Sequence, residues 1–303
     1  MSEEIIISPE TRRMLPVKSI DSSKNRLYRE IAKRPGFQVC LLLLGILVIV
    51  AIFAPYISPY DPEAISVKDK NQGISSAHLF GTDFLGRDLF SLTICGAQTS
   101  LLIASISVAV ALVFGCVVGC VAGYYGGVVD EVLSRCVDLL LAFPGIIFAL
   151  ALLAFMGAGI LNLIIAITLS QWAIYARLMR GQVISIKNLE YVQSAYTAGL
   201  PDRRIMIRHL FPNAIMPVLI LATLDIGHVI LSVAGLSFLG LGIPPGIPEW
   251  GSMIGAGKEF LRTAPLNVIV PGLAITFVVL IFNFLGEGLR DILDVHNDQV
   301  NIG

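Results

Sequence analysis

The sequence predicts an all-α polytopic membrane protein with six transmembrane helices and both termini in the cytoplasm. Three observations carry that prediction. Of 303 residues, 55% are hydrophobic and only 14% charged, whereas a soluble domain usually carries nearly twice that charged share. Several apolar runs reach the roughly 20 residues that a bilayer core about 30 Å thick requires. The basic residues, finally, fall unevenly between those runs. A net charge of −1 gives no bulk attraction to nucleic acid.

No charge occurs between Arg34 and Asp61, and Phe37 to Ala54 is almost wholly apolar, which places the first helix at residues 37–58. The 36-residue lead before it, and the lack of a small-residue cleavage site, argue against a removed signal peptide. That lead is read as a cytoplasmic tail. Its end, residues 24–36, is a basic amphipathic headgroup anchor. From Leu89 to Val129 there is again no charge, but Gly96-Ala97-Gln98-Thr99-Ser100 divides the run. The second helix is therefore expected at Leu101 to Tyr124, after an extracytoplasmic loop and interfacial lead-in over residues 59–100.

Leu139 to Ala176 is long enough for two crossings and holds the breaker Met156-Gly157-Ala158-Gly159, so a tight helical hairpin is expected. Ile215 to Leu241 gives the fifth span and Asn267 to Gly286 the sixth, the latter expected to kink at Pro271. Residues 101–286 thus form a core of five helices, followed by a tail at 287–303. With the N-terminus inside, the segments 1–36, 125–138, 177–214 and 287–303 hold 16 of the 21 Lys and Arg residues. This bias orients the chain.

Gly115, Gly119 and Gly123 recur at four-residue spacing with Cys116 and Cys120 alongside. They read as a stripe that admits a neighbouring helix. Cys40, Cys95 and Cys136 complete a set that resembles neither a disulfide framework nor a CxxC site. His78 and His296 lie in loops without ligands nearby in sequence.

The polar stretch 186–213 lies between two spans and must do something other than cross. Leu189 to Ala198 is compatible with a short helix that stops at Gly199, a residue suited to a left-handed cap. Pro201 suits the first turn of a second helix, Asp202 favours that helix's positive end, and the helix is expected to stop before Pro212. A helix–Gly–helix projection has the shape of a docking element; a solvated loop is the plainer alternative.

This segment resembles the cytoplasmic EAA loop of binding-protein-dependent ABC importer permeases, in which Glu-Ala-Ala, three residues and Gly precede a hydrophobic close ending in proline. Gln193-Ser194-Ala195 occupies the Glu-Ala-Ala positions, Gly199 the glycine, and Leu210, Phe211 and Pro212 the close. Gln193 and Ser194 depart from the general pattern, while Glu190-Tyr-Val-Gln193 and His209-Leu-Phe-Pro-Asn213 resemble the peptide and nickel branch. Three further stretches resemble that branch. They are Phe80-Gly81-Thr82-Asp83 with Gly86-Arg87-Asp88; Leu236 to Gly242 with Pro244-Pro245 and Pro248-Glu249-Trp250-Gly251; and Phe282-Asn283 with Gly286 and Leu289-Arg290-Asp291.

The resemblance implies an ABC importer type I permease fold in a bacterial or archaeal inner membrane. It further implies a heterodimer with a second, related permease, two cytoplasmic ATP-binding subunits and an extracytoplasmic substrate-binding protein docking on 55–100 and 242–266. Glu190, Gln193, Ser194, Ala195, Gly199 and Pro212 would then belong to the ATPase-coupling loop, the small residues allowing close approach. No cofactor is expected in this chain, because ATP and Mg would sit on the partners. The nearest thing to a phosphate loop, Gly251 to Lys258, has the wrong spacing and is followed by Glu259. The chain is thus expected not to be an enzyme.

Within the fifth span, Asp225 and His228 are the only ionisable residues. Such groups are costly at bilayer depth and usually face the bundle interior. Their i, i+3 spacing puts both on one face. They are candidates for the translocation pathway; a structural pair is the alternative, and two ligands are too few for a metal. Leu224 to His228, with Gln171 to Arg177, resembles nickel importers somewhat more than dipeptide ones. The expected substrate is short peptides or a nickel chelate. A self-sufficient secondary transporter would show internal repeats with paired ion-site residues, and a membrane-embedded enzyme would need a nucleophile–base or metal constellation; no convincing sign of either is seen.

Overall fold

The computed structural model describes residues 34–244 and 246–300, with the backbone alone for 293–300. The expected amphipathic anchor at 24–36 therefore falls, but for its last three residues, outside the described part, as does the side chain of His296. The described residues form eleven α-helices and contain no strand, only an isolated bridge between Thr82 and Asp88.

Helix α1 spans Pro35–Ile52 and the short α2 Ala54–Ile57. A folded loop leads to α3, Leu89–Tyr125. Next come α4, Gly127–Leu141, and α5, Gly145–Met156, then α6, Ile160–Lys187. Helix α7 is Glu190–Thr197 and α8 Asp202–Ile205, which continues through a π-helical turn, Met206–Leu210, into α9, Phe211–Phe238. Finally α10 spans Trp250–Gly257 and α11 Leu266–Val300. Among the described residues, five helices are long and apolar enough to cross a membrane, six if α4 and α5 count as one bent span.

Three expectations are corrected. First, residues 89–99 are no lead-in. They are the first turns of a continuous 37-residue helix whose N-terminus Asp88 caps by accepting from the Ser91 N–H at 2.8 Å. Gly96, which looked like a breaker, sits where the Trp250 ring packs; a Cβ there would lie 3.0 Å from the ring.

Second, residues 125–138 are not a loop but most of helix α4, and Leu139 to Ala176 is no simple hairpin. Asp130 and Asp138 pair with Arg180 and Arg177 of α6, so the charges that suggested a loop hold α4 against its neighbour. At Ala142-Phe143-Pro144 the chain then turns by 85° into α5. The 12 residues of α5 are only about 18 Å long at 1.5 Å each, too short to cross alone.

Third, the helix after Pro201 does not stop before Pro212. Proline lacks the N–H that an α-turn needs and its ring crowds the preceding turn. The wider π-turn immediately before it relieves that conflict. Asn213 adds a side-chain donor to the His209 carbonyl at 2.6 Å.

The bundle is organised on the pair α3 and α6. Hypothetical Cβ atoms at Gly115, Gly119 and Gly123 would stand 2.7, 2.9 and 2.9 Å from the Cβ atoms of Tyr175, Met179 and Val183. The two backbones therefore lie almost in contact over two turns of helix. Helix α9 packs on this pair, and α11 packs on α9, where Gly286 admits Leu224. Helix α1 is peripheral, with 6% of its apolar window buried. It is tied to the rest by Arg34–Asp291 at 2.7 Å and by Phe37 against Gly288.

Gly119→Ala should lower the thermal stability of the detergent-purified protein by about 1–3 kcal/mol through overpacking. Gly45→Ala, with open space around the added carbon, should be neutral to within about 1 kcal/mol. Equal midpoints for the two variants would contradict the close-approach account.

Candidate functional site

Both ends of the bundle carry built structure. At one end the chain leaves α6 at Lys187, forms α7 as a ledge, and re-enters through α8 and α9. Leu189 is the extended N-cap of α7, and Gly199 takes a left-handed φ of +72° after its last turn. Only glycine adopts that φ cheaply, so Gly199 fixes the angle at which the chain turns toward α8. Pro201 is the N-cap of α8 and Asp202 its first residue, one position later than the sequence suggests.

The side chains of α7 divide by face. Val192 and Ala195 are buried against the body of the protein, whereas Glu190, Tyr191, Gln193, Ser194 and Gly199 are exposed, as is Pro212 at the start of α9. Ala195 is therefore not a surface residue available for close approach by a partner; it seats α7 on its own chain. Gln193 Nε2 donates to the Lys187 carbonyl at 3.1 Å, closing the end of α6, and Ser194 Oγ donates to the Glu190 carbonyl at 2.8 Å. The outer face so formed is largely polar and, among the described residues, exposed. An added Cβ at Gly199 would meet nothing within 4 Å.

Sequence reasoning missed what holds this ledge from the side. Tyr124, at the end of α3, donates from its hydroxyl to Asp202 Oδ1 at 2.7 Å and stacks on Tyr196, centroids 6.1 Å apart. Lys187 Nζ donates to the Tyr124 carbonyl at 2.8 Å. The only sequence signal was an aromatic pair, Tyr124-Tyr125, at the end of an apolar run.

At the opposite end, the loop between α2 and α3 is folded around carboxylates. Asp83 accepts from the N–H groups of Leu85 and Arg87 at 2.8 and 2.9 Å and pairs with the Arg87 guanidinium. Gly86, at φ +79°, presses on the Ser66 backbone where no side chain fits. Asp88, besides capping α3, lies 3.0 Å from His78 Nδ1, so His78 has a partner that sequence proximity did not suggest. Glu249, 1% exposed, caps α10 through the N–H groups of Gly251 and Ser252, both at 2.8 Å. Trp250 donates to the Thr93 carbonyl at 3.0 Å. With Phe84 stacked on Phe260 at 5.1 Å, the segments 59–88 and 249–267 make one continuous cap. The sequence stretches around Gly81 and Glu249 are thus the turns and caps that build this surface.

Between the two ends, α9 carries Asp225 and His228, which differ sharply in exposure. The Asp225 side chain is 9% exposed and interacts with the buried Tyr175 of α6, although Asp225 Oδ2 and the Tyr175 hydroxyl form no hydrogen bond of normal geometry. The His228 side chain is 69% exposed, its Nδ1 3.7 Å from Asp225 Oδ1. Among the described residues no group of three or more His, Cys, Asp or Glu could hold a metal. An imidazole pointing outward at mid-helix belongs against water or another protein surface rather than lipid.

Five membrane-length helices and one bent helix pair, built on the close-packed α3 and α6 with a helical ledge at one end and a folded cap at the other, describe a transporter's membrane component. The chain belongs to the family described as binding-protein-dependent transport system inner membrane component, which it matches over residues 115–296. Residues 26–73 match the N-terminal TM domain of oligopeptide transport permease C. It is 39% identical over 267 residues to the dipeptide transport system permease protein DppC of Alkalihalophilus pseudofirmus, covering 88% of each chain. It is 42% identical over 271 residues to the glutathione transport system permease protein GsiD of Escherichia coli O157:H7, covering 89% of each.

Among solved structures, the inward-facing MetNI methionine ABC transporter superposes with a TM-score of 0.55 at 17% identity, over 66% of this chain and 96% of that one. That likeness shows a shared fold. The protein is accordingly a multi-pass inner-membrane permease component of an ABC importer with the type I fold. Its family works with ATPase and substrate-binding partners.

His228→Cys, in a background lacking the five native cysteines, should react with a water-soluble, membrane-impermeant thiol reagent in the assembled transporter or be shielded by a partner protein. Labelling by a lipid-soluble reagent alone would place His228 in lipid and remove it from the pathway.

Proposed function

We propose that this chain forms half of a translocation pathway for short peptides, paired with a second, related permease and driven by ATP hydrolysis on two separate subunits. The observation that carries this reading is α7. It is an exposed eight-residue ledge held between α6 and the 37-residue helical run from Asp202 to Phe238. Its outward residues, Glu190, Gln193, Ser194 and Gly199, would meet a groove in the ATPase, and Pro212 would transmit displacement into α9. Ala195 would act from behind, keeping the ledge seated. The ATP and Mg would belong to those partners, and this chain would be a transport subunit rather than an enzyme.

The positive-inside bias places α7 in the cytoplasm. Arg34 and Asp291 lie together at the same end, which agrees with cytoplasmic termini. The opposite cap would then face outward and receive the binding protein. Asp225 and His228 would border the pathway, with Asp225 anchored toward α6 and His228 turned to the lumen or to the second permease. The dipeptide and glutathione transporters named above support the peptide half of the expected substrate pair.

The decisive test is reconstitution with the ATPase, second permease and binding protein, measuring uptake of labelled dialanine and labelled glutathione alongside ATP hydrolysis. Gly199→Trp forces a bulky residue into a left-handed φ on the docking face. It should reduce substrate carried per ATP by roughly fivefold or more, the scale of a typical coupling free energy. Uptake and substrate-stimulated hydrolysis both unchanged in that variant would refute the coupling role of α7.

A further inference from the structure

Helix α7 is short, and two brief links join it to the long helices. One is Asn188-Leu189; the other runs from Ala198 to Pro201 and contains Gly199 in its left-handed conformation. A rod tethered only by such links would swivel when pushed. A third attachment comes from the end of α3. Tyr124 is 4% exposed, and its hydroxyl is committed to Asp202, the first residue of α8. A hydrogen bond to a carboxylate belongs to the stronger class. The same ring stacks on Tyr196 of α7, with an interplanar angle of 10°. Its carbonyl, one of the last of α3 and without an intrahelical partner, receives the ammonium of Lys187, the last residue of α6. One residue of α3 thus touches the end of α6, the body of α7 and the start of α8.

A little further up α3, Gly119 and Gly123 lock that helix to α6 at backbone distance. We propose that Tyr124, with Lys187, Tyr196 and Asp202, is a clamp that makes α3 the third arm of the coupling element. Displacement of α7 then moves α3 and α6 as one body along with α9. Tyr124 and Asp202 are positioning residues in this scheme, acting through α7. The proposal rests on α7 being the element that the ATPase engages.

The test uses the complete transporter in proteoliposomes, scored as labelled dialanine taken up per ATP hydrolysed and as stimulation of hydrolysis by the binding protein. Tyr124→Phe keeps the ring and removes the hydroxyl; Asp202→Ala removes the oxygen that accepts from it. Each should lower both readouts by roughly fivefold. The double variant should be no worse than either single one, since both delete the same bond. Lys187→Arg, which keeps a cation at the end of α3, should retain coupling, and Lys187→Met should lose it.

A role in stability alone would reduce the amount of assembled transporter without moving either ratio, and that result overturns the proposal. So do single losses that multiply in the double variant. Gly199→Trp run in parallel separates the two claims. Loss of coupling there with full coupling in Tyr124→Phe leaves α7 as the docking helix and removes the clamp. Intact coupling in Gly199→Trp removes the premise itself.

Discussion

The near-contact of the α3 and α6 backbones is the constraint on which the rest of the molecule depends. Inside a bilayer, apolar side chains gain little by leaving lipid for protein, so helices associate through close packing and polar links rather than through a hydrophobic drive. Glycines at 115, 119 and 123 remove the side chains that would hold the two axes apart, and Tyr175, Met179 and Val183 fill the space. Once that pair is fixed, α4 can reach α6 with two ion pairs, α9 has a surface on which to bury Asp225 beside Tyr175, and the end of α3 arrives beside α7. A wider separation would break each of these relations at once.

The second structural theme is continuity between membrane and cytoplasmic ledge. A proline at position 212 would ordinarily end or bend the helix that enters the bilayer. Here the π-turn at Met206–Leu210 absorbs the mismatch, and the helix runs on to Phe238. Such turns are frequent at functional sites. Asp202, just beyond the ledge, and the intramembrane pair Asp225 and His228 therefore lie on one continuous helical run. A push delivered at its cytoplasmic end would travel along that run.

Much of this was readable from residues. The apolar runs and the placement of arginine and lysine gave the class, and Gly199 with Pro201 gave the turn between two cytoplasmic helices. What escaped had its cause far along the chain. Gly96 reads as a break because the Trp250 ring it accommodates lies more than 150 residues away in sequence. Asp130 and Asp138 read as loop residues because Arg180 and Arg177 are needed to explain them. Tyr124 reads only as the last residue of the second span until Asp202 is placed beside it, 78 positions later. Local pattern specifies helices well; it carries no record of which distant residue satisfies a given polar or small side chain.

The sparse attachment of α1 has a consequence for the outline of the bundle. With only 6% of its apolar window buried, this helix shares little surface with the others. It stands at the rim. There the Arg34–Asp291 ion pair, the Phe37 contact with Gly288 and the packing of Leu44, Leu47 and Ala51 on the core hold it in place. Val39, Leu42, Ile46 and Ile49 are left turned away from this chain's own core.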